Sequence, residues 1–93
     1  MPLLFEWDQA KARSNRRKHR IGFEEASTVF GDWLSVTIPD AEHSTDEHRW
    51  ITLGRSSKGN LLVIVHTESD TSIRLISARA ATRDERKQYE END

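Results

Sequence analysis

Three arginines, one histidine and one glutamate are the strongest candidates in this sequence for chemistry at a phosphate group. They are Arg49, Arg74, Arg79, His66 and Glu47. A guanidinium donates two parallel hydrogen bonds to a phosphate and keeps its charge at physiological pH. An imidazole exchanges protons near neutrality, and a carboxylate can act as a general base. Together these groups could bind an anionic group and transfer protons beside it.

Arg74 and Arg79 are the first choices for binding the phosphate. Arg74 alternates with apolar neighbours in a strand-like run, so its side chain should point to the opposite face from theirs. An arginine there is costly unless that face is solvated or holds an anion. Arg79 follows at the end of the same run, where loops commonly carry functional residues. A salt bridge to Glu47 or Glu68 is the structural alternative for both arginines.

The roles of Arg49, Glu47 and His66 stay open at the level of sequence. Glu47 and Arg49 share a face if their strand begins early enough, and the glutamate would then be either a general base or an orienting partner. His66 ends the apolar run 61–65 and is well placed to move a proton. If that strand is regular, His66 shares a face with core residues, which favours a buried structural histidine.

Hydrophobic periodicity predicts an α+β fold that would position these residues. Strands are expected at 3–7, 34–38, 49–54, 61–65 and 73–77, and helices at 9–19, 23–30 and from a Thr82–Glu85 capping box to about Glu90. Short turns between the later strands indicate a small antiparallel meander of three or four strands, with two helices before it and one after it. The run 61–65 is the most apolar and should form a central strand. Helices should cover one face of the sheet and leave the other free for function.

Length and composition narrow the class of protein. The 93 residues predict a single domain spanning 1–93. The absence of cysteine excludes a disulfide framework and a thiolate zinc site. No HExxH or EF-hand spacing occurs, so we expect no metal and no other cofactor. No signal peptide or membrane span is recognisable, and the expected location is the cytoplasm.

Charge is distributed in blocks, although the net charge is only −2. Residues 1–20 and 49–83 each carry +4, whereas 21–48 carry −7 and 84–93 carry −3. The basic blocks permit a surface for phosphate, and the acidic blocks permit a surface for a basic partner. An ordinary solvated surface is equally compatible with this pattern.

An ordered set of residues along the chain resembles the signature of the BrnT family. The set opens with Phe5-Glu6-Trp7-Asp8, Lys11, Asn15 and Lys18-His19-x-Ile21-x-Phe23-Glu24-Glu25-Ala26. It continues with Val29-Phe30-x-Asp32, His43-Ser44, Glu47 and Arg49, and ends with Ile73-Arg74-x-Ile76-Ser77-Ala78-Arg79, Glu85-Arg86 and Tyr89-Glu90. The resemblance spans nearly the whole chain, with one departure: Arg20 stands where the family has a glycine.

This resemblance implies a RelE-like fold and a ribonuclease that arrests translation and growth, as the toxin of a type II toxin–antitoxin system. It also implies a cognate BrnA-like antitoxin that forms a hetero-oligomer with the toxin. The complex would bind DNA only through this antitoxin. The alternative is a catalytically silent module that acts as a co-repressor or scaffold with its antitoxin. Loss of activity in folded Arg74 or Arg79 variants would favour the ribonuclease, whereas loss of partner binding would favour the module.

With RNA as the implied substrate, further residues become candidates for binding. The RNA-binding candidates are Arg16, Arg17, Lys18 and His19 of the first helix, together with Arg83. A solvated helix face and docking to an acidic antitoxin segment remain as alternatives. Trp33, after the helix-ending Gly31-Asp32, is expected to contact a partner, whereas Trp7 and Trp50 are expected to pack in the core.

Overall fold

The computed structural model describes residues 4–42 and 48–91. Its helices are α1 (Gln9–His19), α2 (Phe23–Ser27), which continues into a 3₁₀ turn at Thr28–Gly31, and α3 (Arg83–Glu91). Its strands are β1 (Leu4–Glu6), β2 (Val36–Pro39), β3 (Trp50–Arg55), β4 (Leu61–Glu68) and β5 (Ser72–Ala80). Every predicted element is present, and β4 and β5 run several residues further than their apolar runs. No helix in these ranges is long and apolar enough to cross a membrane.

The strands form one mixed sheet in the order β1-β5-β4-β3-β2. Strands β2 to β5 make an antiparallel meander, as expected for strands joined by short turns. The expectation of only three or four strands is wrong, because β1 adds a fifth that pairs in parallel with β5 from Leu4↔Ser72 to Glu6↔Arg74. A three-residue strand whose partner lies far along the chain leaves no hairpin signal in the sequence. The α+β class itself is confirmed.

Helices α1 and α2 and the 3₁₀ turn cover one face of the sheet. The core on this face contains Ile21, Phe23, Ala26, Val29, Leu62, Ile64, Ile73, Leu75 and Ala78. The first four residues of β4, Leu61 to Ile64, are all buried, which confirms β4 as a central strand. Trp7 packs edge-on against Phe23 with ring centroids 5.8 Å apart, so this tryptophan belongs to the core, as predicted.

Helix α1 is defined by caps at both ends. The Asp8 carboxylate accepts hydrogen bonds from the backbone N–H groups of Ala10 (2.7 Å) and Lys11 (3.2 Å). The bonds from Lys11 and Ala10 lower the pKa of Asp8. The C-cap, Arg20, has φ 61° and ψ 26°, a left-handed conformation that glycine adopts at lower cost. The one residue that departs from the BrnT signature therefore lies where a glycine is favoured.

Helix α3 lies on the other side of the sheet from α1 and α2. It begins with the predicted capping box, in which Glu85 accepts from the Thr82 N–H (2.8 Å) and Thr82 Oγ1 accepts from the Glu85 N–H (3.2 Å). Its anchor is the buried Tyr89, whose hydroxyl donates to Asp32 Oδ2 at 2.6 Å. The Arg55 guanidinium lies 5.5 Å from the Tyr89 ring centroid. These contacts hold α3 along one side of the sheet face that α1 and α2 leave open.

Candidate active-site groove

The open face of the sheet has an apolar floor and two adjoining grooves. The arginine groove, about 570 Å³ in volume, is lined by Pro39, Asp40, Ala41, Glu42, Arg49, Ile51, Val63, Val65, Ile76, Ser77 and Arg79. The α3 groove, about 370 Å³, is lined by Val36, Ile38, Ile51, Leu53, Val63, Glu85, Gln88 and Glu91. The two grooves share Ile51 and Val63. The prediction that the helices cover only one face is wrong, because α3 lies along one side of the other face. The rest of that face is open.

A β-bulge in β5 determines which residues reach the arginine groove. Val65 pairs with Ser77 but His66 pairs with Leu75, so Ile76 is an extra residue in β5. Simple alternation from Leu75 would place Arg79 on the covered face. The bulge reverses that alternation, and Ile76, Ser77 and Arg79 all line the groove. The bulge thus brings the arginine to the open face.

The guanidinium of Arg79 is held by a carboxylate of α3. Nη1 donates to Glu85 Oε1 and Nη2 to Glu85 Oε2, each at 2.8 Å, and Nη1 also donates to the Ala80 carbonyl at 3.2 Å. The hydrogen bonds between the two side chains, with a smaller contribution from their opposite charges, raise the pKa of Arg79 and lower the pKa of Glu85 from 4.5 to about 2. Both side chains are only partly buried. This bidentate salt bridge orients Arg79 and leaves its Nε–H and one Nη2–H to donate to a phosphate.

Arg49 lines the arginine groove together with Arg79 and two carboxylate residues, Asp40 and Glu42. It immediately precedes β3, and its carbonyl accepts a 2.8 Å hydrogen bond from the Asp40 N–H, which ties the end of β2 to the start of β3. Asp40 is buried, whereas Glu42 is exposed at the rim. Sequence reasoning missed both carboxylates, because they lie in a polar loop without a recognisable motif. The groove therefore combines two cations with two possible proton acceptors.

Arg74, one of the predicted site residues, lies outside the arginine groove. Arg74 faces the open side, as predicted, but it pairs with Thr67 and Glu6 near the start of β5 and does not line the arginine groove. Glu47 lies outside the described residues, so its predicted role is not tested by the geometry. Within the described ranges, no three His, Asp or Glu side chains group as metal ligands.

His66 lies on the covered face, away from the arginine groove. It is fully buried; its Nε2 is 2.7 Å from the Thr52 hydroxyl, and its ring packs edge-on against Phe30 at 4.9 Å. Its Nδ1 is 3.6 Å from Glu68 Oε1, too far for a hydrogen bond. Burial lowers the pKa of His66 from 6.5 to about 4. At neutral pH this histidine is an uncharged core residue, and the fold does not bring it together with Arg49 and Arg79.

Comparison with known proteins identifies the family. The family model described as "Ribonuclease toxin, BrnT, of type II toxin-antitoxin system" matches residues 7–85. The chain belongs to the BrnT family. The fold is similar to that of the 1.1 Å crystal structure of the Brucella abortus ribonuclease toxin BrnT, with a TM-score of 0.68 and 21% identity over 88% of this chain and 100% of that chain. A search of the curated proteins finds no match.

Within the segment matched to BrnT, the structure gives Asn15 a role that sequence reasoning missed. The buried Asn15 side chain accepts from the Ala78 N–H (3.0 Å) and donates to the Ala78 carbonyl (2.8 Å) and the Ile21 carbonyl (3.1 Å). Ala78 directly precedes Arg79 and follows the bulge. Asn15 thus fixes the backbone from which Arg79 projects. Its place in the BrnT signature was the only signal in the sequence.

The BrnT-like chain presents its predicted partner residue, Trp33, on a fixed turn. Trp33 is 99% exposed. Asp32 Oδ1 accepts from the Leu34 N–H at 3.0 Å, and backbone bonds join Asp32 to Val29 and Ser35. The indole is therefore held in water by an ordered backbone, which is costly for a large apolar side chain that has no partner. The predicted RNA-binding residues are also exposed: Arg16, Arg17, Lys18, His19 and Arg83.

We expect the stability of this BrnT-family chain to fall by about 2 kcal/mol between pH 7 and pH 5 because of His66. The pKa of His66 is about 4 in the folded chain and near 6.5 when unfolded, so the unfolded state binds the extra proton in this range. Glu85, with its pKa lowered from 4.5, contributes only at lower pH. Urea unfolding at both pH values would measure the loss, and His66→Gln should remove most of it. An equal loss in wild type and variant would contradict this assignment.

Proposed function

We propose that the chain is a RelE-like, metal-independent endoribonuclease that acts in the arginine groove, arrests translation in the cytoplasm and is neutralised by a cognate antitoxin. The observation that carries the proposal is the pair of arginines on an open, otherwise apolar sheet face, beside two carboxylates. The Glu85 salt bridge orients the Arg79 guanidinium without using its Nε–H and its second Nη2–H, and these two donors match the geometry of an RNA phosphate.

The arrangement supports a division of labour within the groove. Arg79 and Arg49 would bind the scissile phosphate and stabilise the charge that develops on it. The exposed Glu42 or the buried Asp40 would accept the proton of the attacking 2′-hydroxyl. The bond from that oxygen to phosphorus forms as the bond to the 5′-oxygen breaks, and the 5′-oxygen takes a proton from solvent water, which leaves a cyclic phosphate and a free 5′-hydroxyl.

The basic last turn of α1 would extend the RNA-binding surface. Helix α1 covers the opposite face of the sheet from the groove, but Asn15 ties this end of α1 to Ala78, which directly precedes Arg79, so RNA would reach the basic residues around the end of the sheet. Arg16, Arg17, Lys18 and His19 would contact phosphates outside the groove, and Arg83 at the start of α3 would add one more. Such contacts raise the affinity for RNA without recognising its base sequence, and this affinity should fall steeply as the salt concentration rises.

Expression of the chain alone in a bacterial host tests the proposal directly. Induction should stop growth and deplete bulk RNA, and the purified chain should cleave a defined RNA in the presence of EDTA. Co-expression of the cognate antitoxin should restore growth. Cleavage that EDTA abolishes would contradict the metal-independent mechanism, and intact RNA with soluble protein would contradict the ribonuclease.

The alternative is a catalytically silent module that serves its antitoxin as co-repressor or scaffold, with DNA bound only through the antitoxin. One observation favours it: Arg79 is already engaged by Glu85 in a bidentate salt bridge. The module predicts tight antitoxin binding and intact RNA. The same induction experiment therefore separates the two functions.

Replacement of Trp33 with alanine should weaken antitoxin binding by about tenfold or more, because exposed tryptophans are frequent anchors of interfaces. The indole makes no core contact, so the melting temperature should stay unchanged. Isothermal titration calorimetry on the purified chain would measure the affinity. Thr71→Ser, at an exposed turn position that lines neither groove, is the control. Unchanged affinity of Trp33→Ala would remove Trp33 from the proposed interface.

A further inference from the structure

The α3 groove differs in chemistry from the arginine groove beside it. Five apolar side chains of β2, β3 and β4 form its floor, and Glu85, Gln88 and Glu91 of α3 form its wall. Ile38 on this floor is 53% exposed, although it lies on an ordered strand. The ionisable residues that line this groove are both acidic, but the charge of Glu85 is already paired with Arg79. The acidic side chain offered to a ligand is therefore Glu91, and the groove fits a ligand that is apolar on one side and carries a basic residue on its flank.

Charge at the end of α3 points to the same kind of ligand. The last turn of the helix contains Glu90 and Glu91 and no basic residue. Carboxylates at a helix C-terminus are destabilising, because the helix dipole places negative charge there. A lysine or arginine from a partner would relieve this repulsion at Glu91. A nucleic acid would increase it, so RNA does not suit this groove.

The geometry favours a helix over an added strand. Strand β2, at the edge of the sheet, has four residues and ends in Pro39, which has no N–H to donate. Apolar sheet faces are normally covered by helices, and α3 covers only one side of this face. A second helix beside α3 would cover Ile38, Val36 and Leu53.

We propose that the α3 groove is the docking site for an amphipathic helix of the antitoxin, with its apolar face on the β2–β3 floor and a lysine or arginine beside Glu91. The identity of the partner rests on the proposed function. Because Ile51 and Val63 belong to both grooves, a helix bound here would also narrow the arginine groove. Inhibition then follows from occupancy of the sheet face, without direct competition for the arginine charges.

Thiol footprinting of the full chain tests the location, because the sequence contains no cysteine. Ile38→Cys reports on the α3 groove. Leu4→Cys is a matched control, because Leu4 is 61% exposed and lies on the opposite edge strand. Saturating cognate antitoxin should slow maleimide labelling of Ile38→Cys by about tenfold or more and leave Leu4→Cys within about twofold, since only accessible thiols react. Equal labelling of Ile38→Cys with and without bound antitoxin overturns the proposal. Protection of Ile38→Cys by RNA alone also overturns the proposal and indicates that RNA binds this groove. Protection that grows with the concentration of the chain alone overturns it in favour of a second copy of the chain.

Charge reversal tests the chemistry of the partner. Glu91→Lys should weaken antitoxin binding by about tenfold or more, because it opposes a basic flank. Glu90→Lys changes the net charge equally on an exposed residue outside the lining of the groove, and should weaken binding by less than about threefold. Equal losses in the two variants overturn the assignment of a basic flank to the partner.

A growth assay separates failure of the docking site from failure of the proposed function. If the wild-type chain does not arrest growth, the proposed ribonuclease is contradicted. If it arrests growth but the antitoxin does not protect Ile38→Cys, only the docking site is contradicted.

Discussion

Replacement of Arg79 with alanine should slow RNA cleavage by about 100- to 1000-fold, the usual effect of removing a donor that stabilises developing negative charge. Arg79 lines the arginine groove and is oriented by Glu85, so it is the cation best prepared to receive a phosphate. The fold should survive. The Arg79–Glu85 pair is partly exposed and worth about 1 kcal/mol or less, and Glu85 keeps its capping bond to Thr82. Single-turnover cleavage of a defined RNA would give the rate, and circular dichroism would verify folding.

Two further variants show whether the groove, rather than charge in general, is responsible. Arg79→Lys keeps the charge but loses the planar fork, and it should recover only a small part of the rate. Arg74→Ala removes an exposed arginine from the same face of the same strand, but outside the groove, and should slow cleavage by less than about fivefold. A loss in Arg74→Ala as large as that in Arg79→Ala would return Arg74 to the catalytic role predicted from sequence.

Local patterns in the sequence were sufficient to predict most of the fold. Alternation and turn residues predicted the strands, and the Thr82–Glu85 pattern predicted the start of α3 correctly. Each of these signals depends on residues that are neighbours in the chain. The pairing of β1 with β5 depends on residues nearly 70 positions apart, from Leu4 to Ser72, and has no such local signal. The strand was therefore predicted, but its place in the sheet was not.

The candidate site was only partly predictable from the sequence. One extra residue in β5 decides which face of the sheet the later side chains of that strand occupy. A strand read by simple alternation places Arg74 and Arg79 on opposite faces. The bulge at Ile76 places both on the open face, but only Arg79 in the groove. Arg79 does form a salt bridge, the alternative considered from the sequence, but within the described residues its partner is Glu85. Glu85 was recognised only as a helix cap.

The buried side chain of Asn15 should be among the most important single contributors to stability. Asn15→Ala would leave the Ala78 N–H and the carbonyls of Ala78 and Ile21 buried without their present partner. At about 1–3 kcal/mol for each unsatisfied group, partly relieved by relaxation, we expect a loss of about 3–5 kcal/mol in the free energy of unfolding. Asn60→Ala is the control: Asn60 is exposed, and its side chain bonds to Glu25, so the loss should be about 1 kcal/mol. Urea denaturation would compare them, and similar losses in the two variants would contradict the role of Asn15.

Asn15→Asp separates the hydrogen bonds of Asn15 from the volume of its side chain. The aspartate retains an acceptor for the Ala78 N–H but turns a charged oxygen towards two carbonyl oxygens. Burial and these carbonyls should raise the pKa of that carboxyl, because both disfavour its charged form. The unfolding free energy of Asn15→Asp, measured relative to wild type, should therefore recover as the pH falls and the protonated acid again donates a bond. A deficit that does not change with pH would mean that Asn15 acts through packing alone. Recovery would show that the donor to the Ala78 carbonyl holds the strand from which Arg79 projects.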